Sequence, residues 1–231
     1  MAGHLEGKSI AITGAGSGIG KAIALACASE GANIVVADYG VGLAGEDPSS
    51  EVAEETVAEI EASGGRAVAV AGDVSQMQTG ADIVAAAVDT WGTIDGIVCV
   101  AGILRERMLF NMSEEDWDAV VAVHLKGHFT LYRHAMAVMR KQDAGGSIVG
   151  FTSGAFTAST AQPNYSAAKG GIVSLTRSAA MTAASISLRG VPKINANCIA
   201  AVARTRMSEN VPFEIETGDP SDFAPMAIYL L

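Results

Sequence analysis

Short runs of Val, Ile and Ala alternate along this chain with longer segments in which Ala and Glu recur at helical spacing. A strand covered by helices on both faces is apolar at successive positions rather than at every second one, so the alternation predicts βαβ units around a buried parallel sheet. The expected strands are Ser9 to Ile12, Asn33 to Ala37, Ala67 to Ala71, Gly96 to Val100, Ser147 to Phe151 and Asn195 to Ala200, with helices between them. The helix from Ser50 to Ala62 carries Glu at 51, 54, 55, 59 and 61, a solvated face. Ser113, with Glu115 and Asp116 behind it, opens a long helical stretch to Arg140 in which Trp117, Val121, Leu125 and Phe129 fall on one apolar stripe. A last helix is expected from Ser221 to Leu231. No repeat or Pro/Ser-rich linker divides the chain, so residues 1–231 are expected to form one domain.

Composition narrows the class. The 231 residues are 49% hydrophobic and 17% charged, which is ample material for one core. A net charge of −10 without a concentrated basic patch repels a phosphate backbone, which excludes nucleic acid as the expected partner. Cys27, Cys99 and Cys198 lie far apart in apolar elements, the pattern of reduced core cysteines, so neither a disulfide nor a metal is expected. The first residues lack a secretory pattern and no apolar run reaches membrane length, so a soluble, cytoplasmic protein is expected, with no membrane partner.

The chemistry begins at Thr13 to Gly20, Thr-Gly-Ala-Gly-Ser-Gly-Ile-Gly, between the first strand and an alanine-rich helix. A strand that stops in glycines and restarts as a helix aims backbone N–H groups at one point, which suits a pyrophosphate; Gly14, Ser17, Gly18, Ile19 and Gly20 are the candidates. Asp38 ends the second strand at the distance where a dinucleotide fold places an acid on the adenosine ribose. A carboxylate there repels a 2′-phosphate and favours NAD over NADP; the competing reading is a strand-end turn. The Gly-rich run from Tyr39 to Ser50 either covers the adenosine or is a surface loop. Asp73 can accept from the adenine amino group with Val74 against the ring, or cap the next helix. Ala101 and Gly102 come after the fourth strand at the edge where open α/β sheets bind ligands.

Ser153 comes after the fifth strand at the same edge, with Thr152 as the alternative hydroxyl. Tyr165 and Lys169, four apart, share a helix face, where the ammonium favours phenolate. His124, by spacing alone, reads as a satisfied core histidine; His128 and His134 point to chemistry still less. The small residues from Ser166 to Ser187 suit close packing and are a candidate self-association surface.

With these residues in place, the chain resembles the short-chain dehydrogenase/reductase family over nearly its whole length. The matching pieces are Thr13-Gly14-x-x-x-Gly18-Ile19-Gly20, Asp73, Ala101-Gly102, Ser153 and Tyr165-x-x-x-Lys169. The stretches Ala101 to Arg107, Glu114 to Trp117 and Val123 to Gly127, with the loop after Asp38, look like its (3R)-hydroxyacyl-CoA dehydrogenase branch from peroxisomal multifunctional enzymes. The resemblance implies a Rossmann-like, doubly wound parallel sheet and a homodimer or homotetramer. It also implies Tyr165 as acid/base, Ser153 on the substrate oxygen, and Lys169 on the nicotinamide ribose while lowering the tyrosine pKa. His124 takes the place of the family's helix asparagine, a proton relay, and Thr205 that of a cofactor-contacting threonine.

Cys99-Val100 replaces a pair of asparagines that brace the central strands in the family, Ala201 replaces a proline, and the family's final strand has no counterpart in this sequence. The expected function is NAD-dependent interconversion of a secondary alcohol and a ketone, with a 3-hydroxyacyl thioester preferred over a steroid or other alcohol. The alternatives are a catalytically impaired NAD-binding protein and an NADPH-dependent 3-oxoacyl reductase.

Overall fold

Six strands lie parallel in the order β3-β2-β1-β4-β5-β6, in a computed structural model that describes residues 3–204 and 218–231. They are β1 (Ser9–Thr13), β2 (Asn33–Ala37), β3 (Arg66–Val70), β4 (Gly96–Cys99), β5 (Gly146–Thr152) and β6 (Ile194–Ala200), close to the expected runs. The chain winds outward to β3, crosses back to β4 beside β1, and winds out the other way, giving the Rossmann-like arrangement. The crevice where β1 and β4 diverge is the switch point of that winding.

Alternate residues of each strand feed two cores. Ile10, Ile12, Ile34 and Val36 pack with Ile23 of α1 (Gly18–Ser29) and Ala227 of α7 (Ala224–Leu230) on one face. Ala11, Val35, Ile97 and Ile148 pack with Ile83 of α3 (Met77–Trp91), Leu131 and Met139 of α5 (Gly127–Met139) and Ala183 of α6 (Pro163–Ser187) on the other. Burial on both faces accounts for the apolar runs of β1, β2 and β4, while the edge strands β3 and β6 stay partly exposed. In α2 (Glu51–Ala62), Ala53, Thr56 and Ile60 turn inward and the five glutamates outward. Cys27 and Cys99 are buried and Cys198 half-buried, all as free thiols.

Two expectations change. Ser113 does cap α4 (Glu114–Val121), accepting from Asp116 N–H at 3.0 Å, but the long helix is broken by a π turn over Ala122–Lys126 before α5 begins. Trp117, ahead of the π turn, and Phe129, beyond it, are 37% and 43% exposed, and Val120, Leu131 and Ala135 form the buried side. The last helix is shorter, because Asp219 caps a 3-10 turn at Pro220–Phe223 that precedes α7. Among the described residues, no strand pairs with the outer edge of β6, and no helix is long and apolar enough to cross a membrane.

Candidate active site

A cavity of about 1220 Å³ opens at the C-terminal ends of β1, β4 and β5. At one end, the turn between β1 and α1 carries Gly14 at φ 68°, and a Cβ there would lie 2.8 Å from the Ala101 amide nitrogen. A Cβ on Gly20 would overlap the Gly14 carbonyl. The glycines therefore let the turn press against both the β4 exit and the helix start. Ser17, Gly18 and Ile19 line the cavity there, and the first turn of α1 has no acidic side chain to offset its dipole. Asp38 accepts from Gly16 N–H at 2.8 Å and Gly40 N–H at 2.7 Å, which fixes its carboxylate at the cavity wall. The 39–50 loop arches over this end: Leu43 C=O accepts from Leu104 N–H at 2.8 Å, and Ala44 C=O from Arg105 Nε at 3.0 Å. Asp73 holds its own turn, accepting from Ser75 N–H and Oγ at 2.9 and 2.8 Å, and lines the cavity with Val74.

At the other end, Ser153 leaves β5 and hydrogen-bonds the Tyr165 phenol. Thr152 is buried and turned the other way, donating its hydroxyl to Lys169 C=O at 2.9 Å, so Ser153 is the hydroxyl beside the phenol. Lys169 is buried on α6 with Nζ 5.4 Å from the Tyr165 ring centre, and it donates to Phe151 C=O at 2.7 Å. Burial alone brings its pKa down to about 7. The Tyr165 pKa is raised by burial, with the Ser153 hydrogen bond pulling it back. The Lys169 ammonium, expected from the sequence to lower the tyrosine pKa, is turned to the Phe151 carbonyl, and burial sets the direction of the Tyr165 shift.

His124, within the π turn, meets Tyr165 edge-on at 5.0 Å between ring centres. Its Nε2 lies 2.9 Å from Ile103 C=O and 3.2 Å from Ile103 N–H, while Nδ1 is buried with no partner. Burial first and Lys169 second push its pKa well below the usual histidine value. A Cβ on Gly102 would overlap the His124 ring, so that glycine makes room for it.

The family model for short chain dehydrogenases matches residues 8–214. The chain belongs to that family. It is 41% identical over 238 residues to hydroxyacyl-CoA dehydrogenase ChsB1 of Mycobacterium tuberculosis, covering 98% of this chain and 72% of the relative. It is 38% identical over 229 residues to peroxisomal multifunctional enzyme type 2 of Mus musculus, covering 98% of this chain and 30% of that longer protein. A crystal structure of a short chain dehydrogenase from Mycobacterium avium superposes with TM-score 0.85 at 44% identity, covering 99% of this chain and 78% of the other. The protein is accordingly an oxidoreductase acting on hydroxyl groups, and its family implies a nicotinamide cofactor.

In this short-chain dehydrogenase every candidate site residue except Thr205 lines the one cavity; Thr205 lies outside the described residues. At the β4 exit, Thr13 Oγ1 accepts from Val100 N–H at 3.1 Å and Ala101 N–H at 3.3 Å, tying β1 to the residues after β4. Sequence reasoning missed Asn164, which is buried and donates to Arg105 C=O at 3.0 Å and Asp116 C=O at 2.9 Å. It moors the 103–107 segment and α4 to the start of α6; its place next to Tyr165 was the available signal. Also unforeseen is Ala161 at φ 59°, a left-handed conformation that costs a non-glycine residue about 1 kcal/mol or more, with its carbonyl held by Arg107 N–H at 2.8 Å.

Proposed function

We propose that the protein is an NAD-dependent oxidoreductase interconverting a secondary alcohol and a ketone, with a 3-hydroxyacyl thioester as the substrate class. The observation that carries this is one continuous cavity with Asp38 at one end and Ser153, Tyr165 and Lys169 at the other. The residues present fit a dinucleotide: Ser17, Gly18 and Ile19 at the N-terminus of α1 line the cavity, and the first turn of that helix carries no acidic side chain. Beside Asp38 a smaller cavity of about 200 Å³ is lined by Ser17, Asp38, Gly40, Val41, Gly42 and Val52. A 2′-phosphate there would meet a carboxylate and no cationic side chain, which supports NAD over NADP.

Bound NAD supplies the hydride acceptor for alcohol oxidation. Ser153 Oγ and Tyr165 Oη hold the substrate oxygen, and Tyr165 takes the alcohol proton in oxidation or gives it back in reduction. Since burial holds the phenol protonated, Tyr165 is ready as the acid at neutral pH and works as the base more readily as pH rises. Lys169, whose Nζ is 5.4 Å from the phenol ring centre, would hold the nicotinamide ribose, and the unpartnered His124 Nδ1 offers a site for a relay water. The substrate class rests on the 41% identity to one relative named hydroxyacyl-CoA dehydrogenase.

The test is NADH formation across a panel of 3-hydroxyacyl-CoA thioesters, steroid alcohols and simple secondary alcohols, beside NAD and NADP titrations. Turnover with the thioesters and tighter NAD binding are expected. Protein that binds NAD yet turns over no thioester overturns the substrate class, and tighter NADP binding overturns the cofactor assignment.

A further inference from the structure

Behind the reacting groups lies a second buried histidine that no step uses. His128 is 2% exposed in the first turn of α5. Strand β4 ends at Cys99, which pairs with Gly150 of β5, so the next residue, Phe151, has no β4 residue opposite it. Side chains fill that gap: Phe151 C=O accepts from Lys169 Nζ at 2.7 Å, and Phe151 N–H donates to His128 Nε2 at 3.2 Å. The other ring nitrogen, Nδ1, lies 2.7 Å from the His124 carbonyl oxygen in the π turn. A carbonyl only accepts and an amide N–H only donates, so the partners assign the hydrogen to Nδ1 and the lone pair to Nε2.

We propose that His128 is a positioning residue: its neutral ring clamps the π turn that carries His124 to the tip of β5, setting His124 against Ser153, Tyr165 and Lys169. The Phe151 peptide is the shared member, held by Lys169 on its carbonyl and by His128 on its N–H. Losing the ring would leave that N–H buried without a partner and free the carbonyl that anchors the ammonium. Displacements of about 1 Å in such a site cost on the order of a hundredfold in rate.

The groups facing the ring are Lys169 from α6, His124 from the π turn, Cys99 from β4 and Tyr132 from its own helix. Burial and then Lys169 bring its pKa to about 3 against the pull of the His124 and Cys99 carbonyls, so the clamp stays uncharged. The Phe151 amide keeps its own hydrogen between His128 and Lys169, so the clamp orients groups without moving a proton.

The inference rests on the proposed roles of Ser153, Tyr165 and Lys169, and its test has two arms. In ligand-free protein labelled at histidine nitrogen, NMR is expected to show His128 neutral with the hydrogen on Nδ1 from about pH 5 to about pH 9. An Nε2–H tautomer or a charged ring overturns the clamp, whether or not any variant folds.

In the second arm, His128→Phe is expected to lower kcat on the order of 10- to 100-fold, hold KM for NAD and the thioester within about threefold, and shift the pH profile of kcat. His128→Gln, which keeps a donor and an acceptor, recovers most of the rate. Wild-type turnover in His128→Phe, or equal losses in both variants with an unchanged pH profile, overturns the proposal. If the wild-type enzyme turns over no thioester, the functional reading fails, and the NMR arm still judges the clamp.

Discussion

At the Asp38 end of the cavity, the contacts are made mostly by backbone groups: the N–H groups of Gly16 and Gly40 on the Asp38 carboxylate, and the Leu43 and Ala44 carbonyls that tie the covering loop to the chain after β4. At the Tyr165 end, the π turn, the tip of β5 and the middle of α6 come together through side chains, and they bring buried titratable groups with them. Lys169, His124, His128 and Tyr165 all have pKa values displaced by burial, and His124 Nδ1 is left without a partner. Backbone geometry suffices to build a binding end, whereas a reactive end requires polar groups held out of water at a cost in stability.

The sharpest way to separate the two ends is Tyr165→Phe. Removing the phenolic oxygen should reduce kcat on the order of 10²- to 10⁴-fold and leave NAD affinity within a few fold. Equal losses of both would mean that the ends are not separable. The converse variant, Gly20→Ala, places a methyl against the Gly14 carbonyl and displaces the glycine turn. NAD binding, measured by fluorescence titration, should weaken by about tenfold or more, with kcat at saturating NAD changed far less. A smaller effect is expected for Asp38→Asn, which removes the charge and one of the two acceptors that hold Gly16 and Gly40 N–H. The preference for NAD over NADP should fall on the order of tenfold, read from the ratio of kcat/KM values. An unchanged ratio would place cofactor choice elsewhere.

The same division explains what the sequence revealed. Glycine spacing, the interval to Asp38 and the four-residue step from Tyr165 to Lys169 are local, and backbone periodicity carries them into space almost unchanged. The choice between Thr152 and Ser153 was not legible, because it depends on which of two neighbouring side chains at a strand end turns to α6 and which to the cavity. Nor was the π turn: one extra residue rotates everything beyond it by about 100°. His128 gave no signal in the sequence because its partners, His124 C=O and Phe151 N–H, are backbone groups made available only by the π turn and the early end of β4.

The stability cost of the reactive end can be measured at Lys169. Its folded pKa of about 7 lies below the ordinary 10.5, so between those values the folded protein binds fewer protons than the unfolded chain. By linkage this group makes stability rise with pH across that window, and below it the full penalty of burying the ammonium is felt. Lys169→Met keeps the length of the side chain and removes the charge, while leaving Phe151 C=O without its side-chain donor. Burial of an ammonium costs several kcal/mol and the lost hydrogen bond about 1–3, so desolvation wins. The ligand-free variant should melt a few degrees above wild type near pH 7, with turnover abolished, and the gap should narrow as pH approaches 10. Thermal melts of both proteins at several pH values read this directly. A gap that does not change with pH would mean that Lys169 enters the folded protein without a desolvation penalty, and the contrast between the two ends would then lose its energetic basis.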